Sequence, residues 1–101
     1  MGQVGDSFNR PAVSEDQVLN GLSHIRVALE RRLAEKGHGS YASRHEILGI
    51  LVEELDELRD AVRLDGSDGY IQFQKELMDI VVGAAFGFIC LENNHIRPRS
   101  K

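Results

Sequence analysis

Apolar residues recur along most of this chain at helical spacing, and nowhere do they alternate as in a strand. Val18, Leu22, Ile25, Leu29 and Leu33 are separated by steps of four, three, four and four. That is one stripe on one helix. Ser14 precedes it, and Gln17 stands three residues on, the spacing of a capping box. Lys36 and Gly37 supply a favourable charge and a left-handed stop at the far end. The pattern predicts a first helix from Ser14 to Lys36 and a loop through Gly37-His38-Gly39-Ser40. A second helix is predicted from about Ser43 to Leu64, with Ile47, Ile50, Leu51, Leu55, Leu58 and Val62 on its buried face. Asp65-Gly66-Ser67-Asp68-Gly69 reads as a break. A third helix is then expected from about Tyr70 to Asn93.

The third helix differs from the others. From Ile80 to Leu91 it is apolar on every side. A helix with no polar face is buried all round, and three helices of this size can hardly surround one of their own. A second subunit is therefore expected to cover part of it, with Phe86, Phe88 and Ile89 at or near that contact. Gly83 and Gly87 are costly inside a helix, so close packing is expected there. The fold class is all-α, a bundle of three main helices per chain completed by oligomerisation. One domain is expected over residues 12–96, between flexible tails at 1–11 and 97–101.

Composition narrows the possibilities only slightly. The chain has 101 residues, 42% of them apolar and 28% charged, with a net charge of −4. That balance speaks against nucleic acid as the main partner. The longest apolar run is too short to span a bilayer, so no membrane partner is expected. Residues 1–10 lack the apolar stretch of a secretion signal. Cys90 is the single cysteine, so no internal disulfide is possible. A cytoplasmic location fits these features.

The chemistry lies in two acidic segments, Glu53-Glu54-Leu55-Asp56-Glu57 and Glu76-Leu77-Met78-Asp79. Each holds two carboxylates three residues apart, Glu54 with Glu57 and Glu76 with Asp79, and residues at that spacing share a helix face. A turn of 100° per residue puts Ile47, Ile50, Leu58 and Ala61 within about 40° of Glu54. Glu54 thus sits in the middle of the apolar stripe, with Glu57 about 60° to one side. A solvated acidic face explains Asp56 and Asp60, which fall on the far side. It does not explain Glu54, because a buried carboxylate needs a cation, a partner or a proton. Glu76 repeats the pattern beside Phe73, Ile80 and Gly83. Four carboxylates from two helices suit a hard divalent cation. Lys75 and Lys36 are the possible organic partners, and neither is placed to neutralise four acids.

These residues resemble the signature of the MazG-like all-α nucleoside triphosphate pyrophosphohydrolases. That signature is Glu-x-x-Glu followed, after roughly 12–28 residues, by Glu-x-x-Asp. Glu54 and Glu57 match the first pair and Glu76 and Asp79 the second, with residues 58–75 between them. Glu53 matches the frequent Glu-Glu-x-x-Glu form, and His45 to Glu54 is similar to the helix that leads into it. The resemblance covers about residues 40–92. It implies a hydrolase dependent on Mg²⁺, with Mn²⁺ as a possible substitute, that cuts a nucleoside triphosphate between the α and β phosphates. It also implies homodimers or homotetramers built around four-helix bundles. Glu54, Glu57, Glu76 and Asp79 would be metal ligands. Glu53 or Glu57 would orient the attacking water or accept its proton. Lys75, Arg44, Arg97 and Arg99 are candidates to steady the phosphates. His38 and Tyr41 are candidates to contact the substrate. No residue that reads the base can be identified.

Other readings remain. The same fold could serve as a non-catalytic module for oligomerisation or regulation. Glu92-Asn93-Asn94-His95 has the Glu-x-x-His spacing of di-iron bundles, but it occurs once, at a helix end. His45 falls opposite Glu54 on the wheel and reads as a surface or interface residue; His24 falls off the first stripe and reads as solvated.

Overall fold

The computed structural model describes residues 10–96. Three α-helices, α1 (Glu15–Lys36), α2 (Arg44–Ala61) and α3 (Gly66–Glu92), account for most of them, and the described residues contain no strand. The expected tails at 1–11 and 97–101 lie outside the described residues, except for Arg10 and Pro11. Arg97 and Arg99 lie outside them too.

The capping box of α1 is present. The Ser14 hydroxyl accepts from the Gln17 amide at 3.1 Å, and the Gln17 side chain accepts from the Ser14 amide at 2.8 Å. Gly37 ends the helix at φ 86°. The helix α2 starts under Ser43, whose hydroxyl accepts from the Glu46 amide at 3.1 Å. It stops at Ala61, three residues before the expected end.

The start of α3 departs furthest from expectation. Gly66-Ser67-Asp68-Gly69 is the first turn of the helix, so the connection is only Val62–Asp65. The first turn tolerates residues that would weaken a helix interior, since its amides have no partner within the helix. Asp68 there also faces the positive end of the helix dipole. Gly69 has a steric reason to be glycine: a Cβ at this position would collide with the Leu64 carbonyl. At the other end, Asn94 adopts φ 59° and the His95 amide donates to the Cys90 carbonyl at 2.9 Å. This left-handed cap turns the chain back and buries Ile96.

The short connection makes α2 and α3 a helical hairpin. α3 packs along α2 and also against α1, while α1 and α2 do not pack on each other. The core joins Tyr41, Phe86, Cys90 and Ile96, with Leu29, Leu33, Ile47 and Ile50 against them. Gly87 is the point of close approach, where an added Cβ would lie 3.2 Å from the Ile47 side chain. Gly83 has ordinary clearance: an added Cβ would stand 3.7 Å from Leu51.

Three expectations about burial change. Only the Leu29–Leu33 end of the α1 stripe reaches the core; Val18 and Leu22 are exposed. Leu55 and Val62, assigned to the buried face of α2, are exposed as well. Phe86, expected at a subunit contact, is a core residue of its own chain at 5% exposure, its ring edge-on to Tyr41 at 5.3 Å. Phe88, by contrast, is 64% exposed, and Leu77, Ile89 and Leu91 are exposed with it. No described helix is long and apolar enough to cross a membrane.

Candidate functional site

The hairpin brings the two acidic segments level. Glu54 lies seven residues before the end of α2 and Glu76 ten residues into α3. At 1.5 Å per residue, both fall about 10–15 Å from the turn. The i, i+3 spacing then turns Asp79 to the same side as Glu76. One carboxylate oxygen from each of Glu54, Glu76 and Asp79 lies within 4.8 Å of the other two. Among the described residues this is the one group of three or more such side chains close enough to share an ion.

The partners of these acids are few. Glu76 is 6% exposed. Gln72 donates a hydrogen bond to its Oε2, and its Oε1 is buried with no partner. Glu54 Oε1 is likewise buried and unpartnered. Lys75 reaches Asp79 at 3.6 Å, an exposed pair worth about 0.2–1 kcal/mol. Like charges at the separation of the acids repel by roughly 3 kcal/mol per pair at an effective dielectric near 20. The lysine therefore does not balance the cluster.

Burial pushes the Glu54 carboxyl above its ordinary range, and the charges of Asp79 and Glu76 add to this. The Glu57 carboxyl is also raised, first by a hydrogen bond to Glu76 and then by the charges of Glu54 and Glu76. Glu57 is exposed and stands at the rim, near enough to share a proton with Glu76 yet outside the three-oxygen cluster.

The cluster opens into a groove of about 680 Å³. α1 forms one wall, α2 and α3 form the other, and the space exists because the backbones of α1 and α2 stay apart. Glu53, Glu54, Lys75 and Asp79 border it on one side; Arg31, Arg32, Glu35 and Lys36 border it on the other. Arg44 opens α2 and His38 lies in the α1–α2 loop; both are exposed, and neither borders the groove. Tyr41 borders it, but its ring packs edge-on to Phe86 with the Arg32 guanidinium near both rings, and the residue is 7% exposed. Glu92 and His95 are exposed and belong to no ligand-like group.

Sequence reasoning missed Arg31 and Arg32. A signal was present for Arg32: it falls about 60° from Leu29 on the wheel, at the edge of the α1 stripe. Lys36, four residues later, continues the same face.

Asp56 marks the boundary of the site. It is exposed and paired with Arg59 at 3.2 Å. Asp56→Asn is expected to change stability by a few tenths of a kcal/mol at most and to leave Mg²⁺ affinity unchanged in a calorimetric titration. A clear loss of affinity would place Asp56 in the site. No protein-family model matches the chain, and neither the curated proteins nor the solved structures offer a match.

Proposed function

We propose that this protein is a Mg²⁺-dependent nucleoside triphosphate pyrophosphohydrolase, able to use Mn²⁺, that releases a nucleoside monophosphate and pyrophosphate. One observation carries the reading: Glu54, Glu76 and Asp79 converge from two helices, and two of their oxygens are buried without partners. Buried acceptors without donors are costly, and a hard cation bound by oxygens relieves both the missing contacts and the repulsion. The pairing of Glu-x-x-Glu with Glu-x-x-Asp supplies the likeness to the MazG-like enzymes.

In this reading Glu54, Glu76 and Asp79 hold the ion, and Gln72 fixes the orientation of Glu76. Mg²⁺ when bound would neutralise phosphate charge and polarise the reacting groups. Glu76 would have to be ionised to hold the ion, so its hydrogen bond with Glu57 at the rim would have to give way. Glu53 lines the groove, where its carboxylate orients the attacking water and takes its proton. The water oxygen bonds to phosphorus, the α–β bridge breaks, and pyrophosphate leaves with the electron pair. Lys75 borders the same space and steadies the phosphates, whereas Arg44 and His38 do not border it.

We also propose that the chain works as a homodimer or homotetramer. The exposed Leu77, Phe88, Ile89 and Leu91 of α3 are the surface a second copy would cover. Phe88→Asp should then convert the oligomer to a folded monomer in sedimentation velocity. A wild-type chain that is already monomeric at micromolar concentration contradicts the assembly. The open apolar surface fits a non-catalytic helical module equally well, so activity decides between the readings. The purified chain should be incubated with Mg²⁺ and a panel of standard and modified nucleoside triphosphates. Pyrophosphate release that stops with EDTA supports the enzyme. No release from any nucleotide favours the non-catalytic module.

A further inference from the structure

The geometry points to Arg32 as the anchor of an anion subsite on α1, one that takes the part of a polyphosphate ligand facing away from the carboxylates. Arg32 is half-buried and makes no ion pair among the described residues, although acids border the same groove. Its guanidinium lies 4.2 Å from the centre of the Phe86 ring and 5.4 Å from that of Tyr41. Among the described residues the one side-chain hydrogen bond it makes, to the Tyr41 hydroxyl, is 3.5 Å long, and Nη1 is buried with no partner. Five donors are available on an arginine, so those not given to Tyr41 are open to another acceptor. The rings hold the charged head in place, and it cannot shed its proton.

Arg31 and Lys36 border the groove on the same wall together with Glu35, so with Arg32 three cations against one acid face the carboxylate cluster across open space. A ligand that satisfies both walls must offer oxygens to a hard cation at one end and to a planar cationic fork at the other. Chained phosphates meet that description, and arginine suits them through its paired donors. The groove volume lies within the usual range for small-molecule sites. The ligand would thereby span the open side of the groove between α1 and α2, adding to the direct packing of α1 on α3. The bridging ligand rests on reading the carboxylates as a cation site; the Arg32 subsite itself is testable without it.

The probe is inorganic pyrophosphate, titrated calorimetrically into the full chain with and without Mg²⁺. Mg²⁺ alone is titrated separately. Arg32→Gln is expected to weaken pyrophosphate by about tenfold to a hundredfold while leaving the affinity for Mg²⁺ alone unreduced. Arg32→Lys should recover part of the loss, since lysine restores the charge without the fork. Equal pyrophosphate affinity in Arg32→Gln and wild type overturns the subsite and leaves the cation site standing. Parallel loss of Mg²⁺ and pyrophosphate affinity overturns it too, by making Arg32 a support of the fold. If wild type binds pyrophosphate without any affinity for Mg²⁺ and Arg32→Gln abolishes that binding, the subsite stands and the cation reading falls.

Discussion

Glu54→Gln and Glu76→Gln are each expected to abolish Mg²⁺-dependent pyrophosphate release and to weaken Mg²⁺ binding by more than about a hundredfold. Outer-shell partners of metal ligands alone are worth about 10–100-fold, and in the proposed site these two carboxylates would contact the ion directly. The fold should survive, because glutamine keeps an acceptor for the Gln72 amide at position 76 and matches the volume of glutamate. Without metal, the Glu54→Gln protein should be more stable than wild type, since one of three crowded charges is gone. Its pH dependence follows from the direction of the shift. The Glu54 carboxyl titrates above its ordinary 4.5 in the folded chain, so the folded state binds the proton more tightly than the unfolded one. The stability tied to that proton is complete below the unfolded value and is lost as pH rises through the raised one. Thermal unfolding in EDTA between pH 4 and 8 should show wild type falling relative to Glu54→Gln, and Mg²⁺ should reverse the fall. Turnover retained in either variant, or a wild type that gains on the variant as pH rises, would contradict the site.

Phe86→Ala is expected to cost about 3–5 kcal/mol, as for other large aromatic truncations in a core. The ring is 5% exposed, meets Tyr41 edge-on and lies under the Arg32 guanidinium. Domains of this size have only about 5–15 kcal/mol in total, so urea unfolding should show a large drop in midpoint. The exposed Phe88 gives the contrast: as a monomer, Phe88→Ala should lose less than about 1 kcal/mol. A small effect at Phe86 would mean that the α1–α3 core is not formed in this way.

Much of this architecture could be read along the chain, for identifiable reasons. Ser14 and Gln17 make local hydrogen bonds, so the start of α1 depends on four residues and nothing distant. Glu54 stands among apolar residues on its own wheel, which is enough to suggest the burial that the hairpin produces. The start of α3 differs from the expected break at residues 65–69 because glycine signals a break when only local propensity is weighed. Gly69 is in fact placed by a tertiary contact with Leu64, and contacts of that kind leave no local trace. Phe86 and Phe88 could not be told apart, because a helix apolar on all sides has no moment that assigns its faces. Arg32 remained hidden for a related reason. A cation at the edge of a stripe ordinarily extends its head into water, and the rings that hold this one come from the α1–α2 loop and from α3.

The most direct test of the cation site is a crystal of the wild-type chain grown with Mn²⁺, with anomalous differences recorded for the metal. One ion coordinated by Glu54, Glu76 and Asp79, and absent from an isomorphous Glu54→Gln crystal, is the predicted result. A map with no anomalous peak at these carboxylates under millimolar Mn²⁺ would contradict the account.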